Sequence, residues 1–197
     1  AVVRTYPGRQ GRHYRVATEA DLAVAREAEE ELRRREKEHA GPLSLVPDEP
    51  LPHGYSQAFP ITVWGPRTWG DLFLPRQALA LAAVSAAVGA AHAELARSSD
   101  DPAFARAVAT CLTTSVSRLA DYLSSLTVWA NTGEFIAHTF GRQALPMVWD
   151  FVEVNPFSGA TGDWDGAVEW VEKVALHAAA SRLSPGQAAQ GDARALP

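Results

Sequence analysis

A chain of 197 residues with 47% hydrophobic content can bury one good core and a small appendage, which excludes a wholly disordered polypeptide. A net charge of −5 argues against a uniformly basic nucleic-acid binder, although nearly all the positive charge is Arg, with Lys only at Lys37 and Lys173. The single cysteine, Cys111, excludes an internal disulfide and a cysteine-based zinc site, and its place on an apolar helix face reads as a small core residue.

Residues 1–17 predict a basic β-hairpin, with β-prone runs flanking a P-G-R-Q-G turn. Arg4, Arg9, Arg12, His13 and Arg15 precede any acid, and Tyr6 and Tyr14 lie among them, a composition suited to clamping phosphate. A solvated hairpin packed on an acidic helix has the same composition. Residues 18–40 predict a polar helix capped by Thr18, with Asp21 in the capping-box position and acids spaced to pair with Arg. Its packing stripe is narrow: Leu22, Ala25, Ala28 or Glu29, and Leu32. Residues 41–67 hold six prolines and form a linker, which Tyr55, Phe59, Ile61, Val63 and Trp64 are placed to anchor.

Residues 68–183 predict a helical core. Pro75 at the first helical position opens an Ala-rich helix that runs to Arg97. Asp100 or Asp101 caps a second helix, expected to reach about Trp129 through Phe104, Val108, Cys111, Leu112, Ser115, Leu119, Tyr122, Leu123 and Leu126. The two form an antiparallel helical hairpin. Another amphipathic helix spans Trp164 to Arg182, with Trp164, Val168, Val171, Ala175 and Ala178 on one side, and S-P-G ends it. Residues 187–190 read as a short strand, and 184–197 as the start of a further segment. Lacking an initiator Met and closing on G-D-A-R-A-L-P, the chain reads as a piece of a longer protein. No signal peptide or 18-residue apolar run stands out, so a cytoplasmic chain with no membrane partner is expected. The fold class is mainly α, with an N-terminal β-hairpin and little other strand.

The stretch 136–162, I-A-H-T-F-G-R-Q-A-L-P-M-V-W-D-F-V-E-V-N-P-F-S-G-A-T-G, follows no simple period and mixes polar with apolar residues. A long connection of that kind is more often a working surface than a spacer. His138, Arg142 and Gln143 lie in it, and an Arg-Gln pair can read base edges or hold phosphate. Arg76-Gln77 repeats the pair at a helix start, where anions are favoured. Either Arg also has carboxylates to pair with, at Asp71, Asp150 or Glu153. Trp149 stands among polar residues, unlike the core tryptophans expected elsewhere. Asn155 to Gly162 echoes the glycine loop that cradles S-adenosylmethionine in amino-methyltransferases, with Asn155 and Gly159 in the contact positions. Asn stands in place of Asp, the second glycine is displaced, and no acid follows to hold a ribose. A tight turn into the next helix is the plainer reading. No Ser-His-Asp order, P-loop or H-E-x-x-H occurs, and His92 and Glu94 do not make a metal site.

H-T-F-G-R-Q-A-L-P-M-V-W-D-F followed by N-P-F-S-G, with T-W-G-D-L-F-L-P-R-Q-A-L-A-L at 68–81 and R-L-A-D-Y at 118–122, resembles the central region of large bacterial adenine-specific DNA methylases that carry a zinc-ribbon insert. The match spans most of residues 60–170. The resemblance implies that the parent protein transfers a methyl group from S-adenosylmethionine to adenine N6 in a restriction or anti-phage setting. It also implies that the cofactor loop lies upstream of residue 1 and the catalytic tetrapeptide beyond Pro197. This chain would then hold no catalytic residue and no zinc, be inactive alone, and bind no cofactor by itself. In the intact protein, Asp192 of G-D-A matches the acid that hydrogen-bonds the cofactor's adenine amino group. As a bare three-residue match it is equally a turn Asp. The expected contribution is DNA engagement or target recognition through Arg76, Gln77, His138, Arg142, Gln143, Trp149, Arg9 and Arg12. The expected partners are DNA and the remainder of the methyltransferase chain. The alternative is a scaffold that docks a protein or another domain. A contiguous Arg patch favours DNA and an apolar patch favours a protein partner.

Overall fold

The computed structural model describes residues 2–4, 6, 10–52, 60–141 and 144–181, and the chain is mainly α. Strands β1 (Val2–Arg4) and β2 (His13–Arg15) form the N-terminal hairpin, antiparallel, with Val3 opposite Tyr14. Helix α1 (Glu19–Glu38) follows. The Asp21 carboxylate fastens its start, accepting the Thr18 N–H at 2.7 Å and a bidentate pair of hydrogen bonds from Arg15 at 2.6 and 2.8 Å. Along α1 the acids and arginines pair within one turn, Arg34 with Glu31 and Glu38, Arg35 with Glu31. Of the expected stripe only Leu32 is buried, while Leu22 is exposed.

Helix α2 (Pro75–Ser98) and helix α3 (Pro102–Tyr122) form the antiparallel pair. The Asp101 side chain caps α3 by accepting the N–H groups of Ala103 and Phe104. Helix α4 (Trp164–Ala180) lies against α3. Val84, Leu119, Leu123, Val154 and Ala167 make the core between these helices. Among the described residues α2 is long and apolar enough, by length and composition, to cross a bilayer, and only 17% of that window is buried. The expectation of no such stretch is corrected: alanine supplies the hydropathy without bulky side chains to mark it.

Helix α3 stops at Tyr122, short of the expected Trp129. The cause is a run of hydroxyl side chains that take over backbone groups in the next turn. Ser124 Oγ accepts the Leu126 N–H at 3.0 Å, Ser125 Oγ donates to Leu72 O at 2.9 Å, and the Ser125 N–H donates to the same carbonyl at 2.8 Å. Strands β3 (Val128–Ala130) and β4 (Phe135–Ala137) then form a second antiparallel hairpin that the sequence reading did not foresee. Cys111 and Phe104 are exposed, contrary to expectation, because the buried stripe of α3 runs through Ala105, Ser115 and Leu119 and leaves both on its flank. On α4, Ala175 and Ala178 are exposed as well, as are Trp170, Val174 and Leu176.

A second core lies where no helix is long. Leu51, Ile61, Leu72, Leu126 and Leu145 are buried together, with Trp69, Phe73, Met147 and Val148 packed on them. Short 3₁₀ turns at Pro60–Trp64 and Gly70–Leu72 bring Ile61 and Leu72 inward. The linker therefore anchors through Leu51 and Ile61, whereas Val63 and Trp64 face solvent. Tyr55, Phe59 and the expected strand at 187–190 lie outside the described residues.

Candidate nucleic-acid interface

The connection after β4 is held along its length by the end of α3 and by α2. The Asp121 carbonyl accepts the Thr139 N–H at 2.8 Å and the Thr139 hydroxyl at 2.7 Å, and Ser124 and Thr139 hydroxyls lie 2.7 Å apart. The Asp121 carboxylate accepts the Phe140 N–H at 2.8 Å and meets His138 Nδ1 at 3.2 Å. Further on, Leu145 O accepts the Ile61 N–H, and Thr127 donates its hydroxyl to Val152 O. Most of these ties satisfy backbone groups that an irregular segment would otherwise leave unpaired.

Arg76 stands in the first turn of α2 and grips Glu153 through both Nε and a terminal nitrogen. That hydrogen-bonded carboxylate holds the guanidinium even more firmly protonated than usual. The pair joins α2 to the loop, and the Arg76 side chain keeps 42% of its surface exposed. Gln77 does not share that surface. It is buried at 1% exposure, and its Oε1 accepts the Leu74 N–H at 2.8 Å, so it caps α2 from within. Its Nε2 finds no hydrogen-bond partner among the described residues. The expectation that Gln77 reads a base edge is corrected on this geometry.

Trp149 is 85% exposed, and the ring of Trp64, 60% exposed, lies 6.2 Å from it at an interplanar angle of 59°. Neither indole is held by the second core, whose Ile61, Met147 and Val148 turn inward on the same segments. Trp64, expected as an anchor of the linker, instead faces solvent beside Trp149.

The N-terminal hairpin sits on the second hairpin. Tyr14 Oη donates to Glu134 Oε1 at 2.7 Å, and its ring meets Trp129 edge-on at 6.5 Å. Arg12 lies 5.9 Å over the Trp129 ring. Glu134 adopts φ +50, a conformation that side chains rarely take, and Gly133 beside it does not carry the turn. Of the hairpin cations, Arg15 is neutralised by Asp21 and Arg12 is held by an aromatic face. Arg9, Arg142, Gln143 and Asp192 lie outside the described residues.

The Asn155–Gly162 segment is a turn that feeds α4. Asn155 Oδ1 accepts the Phe157 N–H at 3.0 Å, the Trp164 N–H donates to Pro156 O at 2.8 Å, and Asp163 caps α4 through the Gly166 N–H at 2.9 Å. Gly159 and Gly162 have φ of +68 and +90. A Cβ at Gly162 would meet the Tyr122 ring at 3.0 Å, so glycine is required there by both conformation and space. The turn does not fit a cofactor cradle. Both described sheets are two-stranded hairpins, and none supplies the parallel strand end from which such loops spring. Asn155 and Gly159 are therefore not assigned to S-adenosylmethionine.

An open cleft of about 690 Å³ lies between this turn, α3 and α4. Arg118 and Tyr122 of α3 form one wall, and the backbone of 159–162 forms another. The Arg118 guanidinium lies 5.0 Å over the Trp170 ring and 5.9 Å over that of Tyr122. In the sequence Arg118 is marked only by its place in R-L-A-D-Y. No group of three potential metal-ligating side chains occurs among the described residues. Comparison with family models, with curated proteins and with solved structures yields no match to this chain.

Proposed function

We propose that this chain is a helical domain of an S-adenosylmethionine-dependent, adenine-specific DNA methyltransferase, in which it engages DNA while the remainder of the chain holds the cofactor and the reacting groups. The observation that carries this reading is convergence. The segments that bear the resemblance, 68–81, 118–122, 138–151 and 155–159, are far apart in sequence, yet they and their immediate neighbours are bound to one another. Asp121 holds His138, Thr139 and Phe140. Arg76 holds Glu153, and Tyr122 backs Gly162. Strings that served local structure alone would have no reason to be tied to one another across the fold. Trp149 offers an exposed ring for base stacking, and His138 stands exposed beside Asp121. The reaction itself is assigned to residues outside this chain, and no step is placed on its own side chains.

The test is a protein extended in frame on both sides, assayed with labelled S-adenosylmethionine and an adenine-containing duplex. Label is expected at adenine N6 from the extended protein and none from residues 1–197 alone. An extended protein that neither binds duplex nor transfers label refutes the reading. A scaffold role is favoured by one observation: Arg76 is committed to Glu153 and Gln77 is buried, while the Trp64–Trp149 pair projects. If Trp64→Ala with Trp149→Ala abolishes association with the flanking domains and leaves duplex affinity unchanged, the scaffold reading replaces DNA engagement.

A further inference from the structure

We propose that the cleft between α3, α4 and the 159–162 turn is a phosphate-binding site centred on Arg118, and that a DNA backbone phosphate fills it. This rests on the DNA reading above for the source of the phosphate, though not for the site. The first ground is the state of Arg118. The arginines of α1 and Arg15, Arg76 and Arg97 have carboxylate partners. Arg118, like Arg4, Arg12, Arg67 and Arg106, has none among the described residues, and is held instead by the faces of Trp170 and Tyr122. An aromatic ring takes up the face of a guanidinium and leaves its in-plane N–H donors unspent. Arg118 itself borders the cleft. The fork geometry of its donors matches two oxygens of one phosphate.

The second ground is the opposite wall. Ala160 and Thr161 line it, but at Gly159 a Cβ would meet nothing within 4 Å, so a ligand can approach the backbone at that point. The helix start itself is not the attraction, because Asp163 already caps it. The third ground is charge. Glu169 also borders the cleft but is paired to Lys173 at 2.7 Å, and Lys173 lies 5.7 Å from the Trp170 ring. Asp163 is buried in its capping role. Asp165 is then the one rim carboxylate without a partner among the described residues, and it opposes an anion. Its position makes a signed prediction: removing that charge should tighten binding.

The experiment uses residues 1–197 and two probes, inorganic phosphate and a fluorescent 20-base-pair duplex titrated over a salt series. Arg118→Ala is expected to weaken both, duplex binding by roughly five- to tenfold with a salt slope smaller by about one. Asp165→Asn, which leaves the Arg118–aromatic packing intact, is expected to tighten both. Thermal melting identifies an Arg118→Ala protein that has lost its fold, and in that event the Asp165→Asn result decides. Phosphate binding that depends on Arg118 with no duplex binding keeps the site, gives it to free phosphate, and overturns DNA as its source. Duplex binding unchanged in both variants overturns the site and leaves the DNA reading standing.

Discussion

The two cores of this molecule are built on different principles. The one between α2, α3 and α4 takes Val84, Leu119 and Ala167 from helices, where the 3.6-residue period stacks side chains on one face, and adds Leu123 from the cap of α3 and Val154 from the loop. The other takes Leu51, Ile61, Leu72, Leu126 and Leu145 from five separate stretches with no shared period. In the first, the backbone satisfies itself and side chains only pack. In the second, the chain must be tied by long-range bonds before any side chain can pack: Ile61 N–H to Leu145 O, Ser125 N–H to Leu72 O, Leu51 N–H to Arg67 O. The difference explains where the candidate surface sits. Irregular chain exposes side chains at angles that a helix cannot offer, and Trp64 and Trp149 both rise from the second core.

Deletion of one leucine from each core separates the two cases. Leu119→Ala should cost about 3–5 kcal/mol, since rigid helices on both sides cannot close the cavity. Leu145→Ala should cost less, about 2–4 kcal/mol, because an irregular segment relaxes more readily. The same change should alter tryptophan fluorescence at denaturant concentrations well below the main transition. Denaturation followed by fluorescence and by helical circular dichroism measures both. Coincident curves for Leu145→Ala would mean that the second core unfolds only with the helices, and the contrast between them would fail.

Thr127→Val tests the tie rather than the packing. The shape is kept, but the buried Thr127 hydroxyl no longer reaches Val152 O. A carbonyl left without its donor should cost about 1–3 kcal/mol. Hydrogen exchange should show the loss confined to 127 and 152 and the chain beside them, with α2 protection unchanged. A uniform loss across α2 and α3 would show that the loop is part of the helical unit.

The same contrast governs what the sequence disclosed. Helices α1, α2 and α4 begin within a residue of their predicted starts because Thr18, Pro75 and the turn before Trp164 are local signals. The end of α3 was misplaced because Leu123 and Leu126 keep the helical period after the helix has stopped, and both are buried, one in each core. The β3–β4 hairpin hid in V-W-A-N-T-G-E-F-I-A, three residues a side, with the left-handed residue at Glu134 where Gly133 invited it. Gln77 was grouped with Arg76 as a surface residue, but neighbours on a helix point about 100° apart, and only Arg76 of the two is exposed. The irregular course of the chain after β4 was legible from composition alone. Its geometry was not, since Asp121, Thr127 and Ile61 that hold it lie elsewhere in the chain.

The smallest expected effect concerns pH and falls on the second core alone. Asp71 accepts the N–H groups of Arg67 at 2.7 Å and Thr68 at 2.8 Å, closing the turn that delivers buried Leu72. The Arg67 N–H, then the Thr68 N–H, favour the charged form and hold the carboxyl below its ordinary value. A carboxyl depressed in the folded state adds stability that is fully present above its unfolded value, about 3.9, and is lost as pH falls through the folded value. Asp71→Asn keeps an acceptor oxygen but loses the charge. It should therefore cost about 0.5–1 kcal/mol at pH 7, at the low end because the group is exposed, and the gap to the unsubstituted protein should close on acidification below about pH 4. Urea titrations at pH 7, 5 and 3.5 provide the measure. A gap that stays constant across that range would show that Asp71 acts only as a neutral acceptor, and that the second core owes nothing to charge at this turn.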